Sequence, residues 1–192
     1  MKVIQLHQEE KQLIKLAVEN NRQAQQQIYA KFSSKMLSVC RQYIKDIHHA
    51  EDVMITGFMK VFTNLKNFEH KGSFEGWIRR IMVYECIDFL RVKKNNFNHQ
   101  DIDDVTVSEN ESVYEMEDFS VDDIQNMIDN LPDGYKMVFN LYAIEGYKHQ
   151  EIAEMLKISE GTSKSQLSHA RKLLQQQITD LKNKLNDIAT IR

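Results

Sequence analysis

Seven polar side chains crowd the start of one amphipathic stretch, residues 159–174 (SEGTSKSQLSHARKLL): Thr162, Ser163, Lys164, Ser165, Gln166, Ser168 and His169. Hydroxyls, an amide, a cation and an imidazole on one short surface are the groups that reach base edges in a DNA major groove. They are poor choices for a helix that only buries a core, because Ser and Thr hydroxyls compete for backbone hydrogen bonds. Leu167, Ala170 and Leu174 still recur at three and four residues, so the stretch predicts a helix with one apolar face. Residues 149–174 extend this into a helix-turn-helix pattern. Ile152, Ala153 and Leu156 face inward on its first helix, Ile158 fills the turn, and Ser159 caps the second helix. In such a pair the amino end of the second helix meets the major groove. Arg171 and Lys172 fall further along, where phosphate is the expected partner, each neutralised phosphate adding about −0.9 to the slope of log affinity against log salt. So few cations predict weak binding by this part alone, with a partner supplying the rest.

No other pattern carries chemistry of comparable definition. The sequence has no Gly-rich phosphate loop, no HExxH and no GxSxG, and its seven His are scattered. The pair His48–His49 reads as the start of a helix. Cys40 and Cys86 lie far apart among apolar neighbours and read as small buried hydrophobes in a reducing compartment. No enzyme activity, no cofactor and no metal site are expected. No apolar run approaches the ~18 residues of a membrane span, and the N-terminal MKVIQLHQEEK lacks a signal-peptide core, so a soluble cytoplasmic protein is expected.

The elements that must position these groups are helical. With one Pro, six Gly and little β-branched alternation among 192 residues, an all-α fold is predicted. Four segments in the first half show helical period. Leu13, Leu16 and Ala17 share a face of the first, and Ile28, Phe32, Met36, Val39 and Tyr43 share a face of the second. Val53, Phe58, Val61, Phe62 and Leu65 mark the third, and Ser73 caps a fourth, FEGWIRRIMVYECIDFLRVKK, that ends in basic residues. These predict one helical bundle over residues 1–94. Residues 95–118 lack helical period and are rich in Asn, Asp, Glu and Ser, the composition of a flexible linker. A second, four-helix domain with the helix-turn-helix follows over 119–180, then a helical tail over 181–192.

Charge divides the chain the same way. Residues 95–135 hold twelve acidic residues and no Lys or Arg, so the remainder carries 16 of the 28 acids against all 25 bases. The net charge of −3 therefore averages two basic-leaning parts joined by an acidic strap.

The segment LPDGYKMVFNLYAIEGYKHQEIAEMLKISEGTSKSQLSHARKLL resembles region four of the extracytoplasmic-function sigma factors of the sigma-70 family, especially those of Bacteroidetes. HHAEDV, FMKVFTNLKNF and GSFEGWIRRIMVYECIDFLR resemble region two of the same family, and the likeness spans about residues 20–178. The resemblance implies a promoter-specificity subunit of bacterial RNA polymerase. It implies that Asp52, Val53, Phe58, Lys60 and Val61 lie on the surface that docks on the clamp of the largest polymerase subunit, and that region four contacts the flap of the second-largest. It implies minus-ten recognition and melting by the loop of residues 66–73 and the helix after it, with Asn67, Phe68, Glu69, His70, Lys71, Arg79, Arg80 and Arg91 as DNA contacts. Trp77 is expected to be buried. It implies minus-thirty-five recognition by Thr162, Lys164, Ser165, Gln166, Ser168, His169, Arg171 and Lys172. An anti-sigma factor, membrane-held in many relatives, is a further implied partner.

Four positions depart from the family pattern. Ile55–Thr56 stand where Gln–Glu is common, Tyr84 where Asn is usual, Lys157 where Gly is frequent in the turn, and His169 where Arg is usual. The alternative reading is an operator-binding helix-turn-helix regulator, which requires a dimerisation surface and a palindromic site. A family member that has lost polymerase binding is the third.

Overall fold

In the computed structural model the described residues are 2–96 and 120–190, and every regular element among them is helical. The chain divides into two compact units, Met1–Asn98 and His99–Arg192. Residues 95 and 96 end a helix, and the rest of the expected acidic linker lies outside the described residues.

In the first unit α1 (Lys2–Val18), α2 (Arg22–Tyr43), α3 (Ile47–Asn64) and α4 (Phe74–Asn96) form the expected bundle. The starts of α2, α3 and α4 have local causes. Asn21 Oδ1 accepts the Ala24 amide at 3.0 Å and opens α2. Asp46 Oδ1 accepts the His49 amide at 2.9 Å and opens α3, a bond that holds its carboxyl below the usual carboxylate range. Ser73 caps α4 as expected, its hydroxyl accepting the Gly76 amide at 3.2 Å.

The apolar stripe of α2 is buried along its length, from Ile28 through Phe32, Met36 and Val39 to Tyr43. On α1 the buried face is Ile14 and Ala17, whereas Leu16, expected inside, is exposed. Helices α3 and α4 pack closely at Gly57. A Cβ there would lie 2.3 Å from Met82 Sδ, so the small residue sets the helix spacing.

The second unit contains α5 (Val121–Asp129), α6 (Asp133–Phe139), α7 (His149–Leu156) and α8 (Glu160–Thr190). A capping box of Ser120 and Asp123 starts α5, and the Ser120 hydroxyl keeps the Asp123 carboxyl below its usual range. Helix α6 continues through a π-helical turn, Asn140–Ile144, before Gly146 lets the chain turn. The core joins Met137, Val138 and Leu141 to Ile152, Leu167 and Ala170. Beneath α6 the ammonium of Lys136 lies 3.7 Å from the Asp129 carboxylate, both side chains buried. Helix α8 runs through residue 180 without a break, so the expected boundary between domain and tail falls inside one helix.

Candidate nucleic-acid and partner interfaces

Helices α7 and α8 make the helix-turn-helix. The turn closes at Lys157, which adopts the left-handed conformation (φ 57°, ψ 46°) that favours the Gly frequent at such a turn. The amide of its neighbour Ile158 donates to the Ala153 carbonyl at 3.1 Å. Ser159 Oγ then accepts the Thr162 amide at 2.9 Å, fixing the first turn of α8. Met155 is buried on α7 where Leu156 was expected, and Leu156 is half-buried.

The start of α8 exposes Lys164, Ser165, Ser168 and Arg171, and leaves Thr162, His169 and Lys172 half-exposed. One of its polar residues, Ser163, turns inward, and Gln166 leans on a neighbouring helix. Ser163 is fully buried, and its hydroxyl meets His149 Nδ1 at 2.9 Å. It belongs to the contact between α7 and α8 and offers nothing to DNA. Gln166 lies against α6, close enough that a Cβ on Gly134 would sit 3.2 Å from its Nε2. Gln166 is nonetheless half-exposed, like Thr162 and His169.

Aromatic neighbours hold two more groups. His169 stacks on Tyr135 at 5.4 Å, and Tyr142 stacks on His149 at 4.6 Å. The Arg171 guanidinium sits 5.6 Å over the ring of Tyr142, on the π-helical turn that follows α6. Lys164 Nζ pairs with Glu160 Oε1 at 2.7 Å, one turn back. The side-chain hydrogen bond from Lys164 holds the Glu160 carboxyl below its usual range.

That pair has a consequence for affinity. Its folded-state value being depressed, the Glu160 carboxylate keeps its partner at neutral pH and loses it only as pH falls through that lowered value. Glu160→Gln removes the competitor for the Lys164 ammonium and one negative charge from the start of α8. The variant is expected to bind duplex carrying the upstream motif several-fold more tightly at pH 7, read by anisotropy across a salt series; unchanged affinity would mean that Lys164 does not face DNA.

The first unit presents a loop between α3 and α4. Phe68 and Phe74 are buried under it, with ring centroids 5.1 Å apart, and Trp77 completes the cluster at 5.4 Å from Phe68. Trp77 is half-buried. Phe68 was expected to wall a base pocket and instead forms the floor, because its ring fills the gap between the loop and α4. The loop turns through His70 (φ 56°) and Gly72 (φ 97°), two left-handed residues that let it double back. Asn67, Glu69, His70 and Lys71 are exposed on its rim, with Lys71 and Glu69 paired at 2.7 Å.

Helix α4 separates the expected cations. Arg80, Tyr84, Asp88 and Arg91 recur at helical spacing on one face, whereas Arg79 is about 100° round the helix from Arg80 and half-buried. Arg91 lies about 16 Å along the helix from Arg80 and is bonded to Asp88 Oδ1 at 3.0 Å. Arg80 lies in the first half of α4, nearer the loop, and Arg91 in the second.

Of the five residues expected to face a protein partner, Val53, Phe58 and Val61 are bundle core at 6 %, 2 % and 0 % exposure. They point at α2 and α4 because theirs is the apolar face of α3. Asp52 and Lys60 are exposed, and Lys60 reaches the largely buried Glu85 at 2.5 Å. The outward face of α3 carries two large apolar residues that periodicity overlooked, Ile55 at 49 % and Met59 at 66 % exposure, beside Thr56. The signal available was their i, i+4 spacing on the face opposite the core.

Among the described residues no group of three or more His, Cys, Asp or Glu could hold a metal ion, and no helix is long and apolar enough to cross a membrane.

Residues 28–96 match the family model described as Sigma-70 region 2, and residues 121–174 match Sigma-70, region 4, together more than half of the chain. The chain is 29% identical over 163 residues to the ECF RNA polymerase sigma factor SigW of Bacillus subtilis, covering 78% of this chain and 86% of that protein. It is 23% identical over 184 residues to the ECF RNA polymerase sigma-E factor of Haemophilus influenzae, covering 88% and 95%. In fold it is similar to the sigma factor RpoE of Bartonella quintana, solved in complex with the anti-sigma factor NepR. The TM-score is 0.53 at 18% identity, over 80% of this chain and 96% of that one.

Proposed function

The chain belongs to the extracytoplasmic-function branch of the sigma-70 family, and we propose that its two units divide promoter recognition on core RNA polymerase between them. It is a sigma factor, an initiation factor and not an enzyme. The second unit reads the minus-thirty-five element through Lys164, Ser165 and Ser168, with Thr162 and His169 at the edge of the contact and Arg171 and Lys172 on phosphates. The first unit captures the unpaired minus-ten strand with Asn67, Glu69, His70, Lys71 and Arg80. The outward face of α3 docks on the clamp of the largest polymerase subunit, and region four reaches the flap of the second-largest. Arg79 and Arg91 contact the strand outside the loop pocket. The domain division at residues 1–94, 95–118 and 119–180 is the layout this division of labour needs.

The observation that carries this reading is the pairing of an exposed polar helix start on α8 with a separate loop backed by aromatic residues at α4. Duplex reading needs the first, and capture of a flipped base needs the second. Polymerase supplies the remaining binding energy, since each unstacked step costs a few kcal/mol. An anti-sigma factor is the expected regulator, the cytoplasm the expected location, and the residue pattern of 131–174 supports a Bacteroidetes-like member.

Run-off transcription with core polymerase and a promoter library tests the reading. Lys164→Ala is expected to lower use of the preferred upstream motif about ten-fold, the scale of one lost base contact. His169→Ala should act more weakly, because its ring is already stacked on Tyr135. A chain that binds duplex tightly without polymerase, and starts no transcript with it, would instead be an operator-binding regulator.

A further inference from the structure

The face of α8 that carries His169 also carries Thr162, Ser165 and Lys172, at distances of seven, four and three residues. The His169 imidazole is half-exposed and lies flat against the ring of Tyr135 on α6, with centroids 5.4 Å apart and planes 13° from parallel. A parallel stack covers one face of an imidazole and fixes the plane of the ring. Both ring nitrogens lie in that plane, so the direction in which each can donate or accept a hydrogen bond is fixed with it. An unstacked histidine at a helix surface turns freely about its side-chain bonds and loses that freedom only on binding.

Tyr135 is itself held in place. The next residue, Lys136, is buried with its ammonium 3.7 Å from the Asp129 carboxylate, and its amide donates to the Pro132 carbonyl at 2.9 Å in the first turn of α6. The residue before, Gly134, brings that turn onto α8, where a Cβ would sit 3.2 Å from Gln166 Nε2. Gln166 lies three residues before His169, so the first turn of α6 backs two neighbouring polar groups of α8 at once.

We propose that Tyr135 is a positioning residue for the upstream element: by stacking it aims the His169 imidazole, and the pair decides the preference at one base pair that Tyr135 itself does not touch. This rests on the minus-thirty-five reading of the second unit. Lys164 lies five residues before His169, about 140° round α8, so the base pair set by Tyr135 and His169 differs from the one read by Lys164. The gain comes from preorganisation, because the side chain is ordered on folding and not at the DNA.

Holoenzyme assembled from the full chain and core polymerase, transcribing a library randomised in the upstream element, gives the test. Tyr135→Leu is expected to flatten the preference about three-fold at a single base pair, the same one that His169→Ala affects, and to leave the base pair governed by Lys164 unchanged. Tyr135→Phe, which keeps the ring, should retain the wild-type preference. In the His169→Ala background Tyr135→Leu should add nothing, as for two residues that act through one contact. Circular dichroism melting follows the second unit, and Tyr135→Met, of similar bulk without a flat ring, repeats the selection if the leucine variant melts early. An unchanged preference in a folded Tyr135 variant, or an equal loss at every base pair, overturns the proposal. So does a His169→Ala library in which no base pair shifts while Lys164→Ala still shifts its own, and the upstream reading then stands without the pair. If neither Lys164→Ala nor His169→Ala shifts any base pair, the upstream reading fails and the proposal fails with it.

Discussion

Replacing both Ile55 and Met59 with Glu is expected to lower affinity for core polymerase by about a hundred-fold while leaving the melting temperature unchanged. The two side chains are 49% and 66% exposed on the outward face of α3, so neither supports the bundle. Full burial of one such side chain is worth about 1.5–3 kcal/mol, and each is already partly covered. Together they account for roughly 3 kcal/mol on docking, or about two decades in affinity. Introduced carboxylates beside Asp52 also concentrate negative charge on that face. Binding to labelled polymerase at two salt concentrations is the measurement. An apolar contact of this kind should persist at high salt better than a charged one would. Equal affinity for wild type and variant would place the docking surface elsewhere. Glutamate at Val53 or Phe58 makes the contrast, because those buried sites should unfold the first unit outright.

The second large effect concerns Phe68. Phe68→Ala removes a buried ring from the cluster with Phe74 and Trp77 and should destabilise the first unit by about 3 kcal/mol, the lower end for such a truncation because the ring lies near the surface. For a unit of this size that corresponds to a fall of order 15 °C in its melting temperature. The second unit should melt unchanged, since Phe68 belongs to the first. Phe68→Leu should recover much of the loss. A variant that melts like the wild type yet fails to open promoters would restore Phe68 to the DNA-contacting set.

Both predictions turn on which face of a helix is occupied, and there the sequence and the folded chain part company. Local features were legible. The caps at Ser73 and Ser159, the stripe of α2, the left-handed Lys157 and the helix-turn-helix itself depend on neighbours within a few residues. Periodicity also identified the side of α3 that is apolar, but not that this same side would be consumed by α2 and α4. The resemblance set Val53, Phe58 and Val61 on a partner surface, whereas the bundle buries them.

The start of α8 shows the same division. From composition, Ser163, Lys164 and Gln166 are equivalent polar residues. Folding sends Ser163 to His149 and Gln166 to the start of α6, and leaves Lys164 outside. What the sequence by itself determined is the set of helices, their ends and the chemistry available on each, because hydrogen-bonded turns and caps are short-range. Which of those side chains remain free to touch DNA or polymerase was decided only by tertiary packing, because a helix face is interior or surface according to what lies across from it.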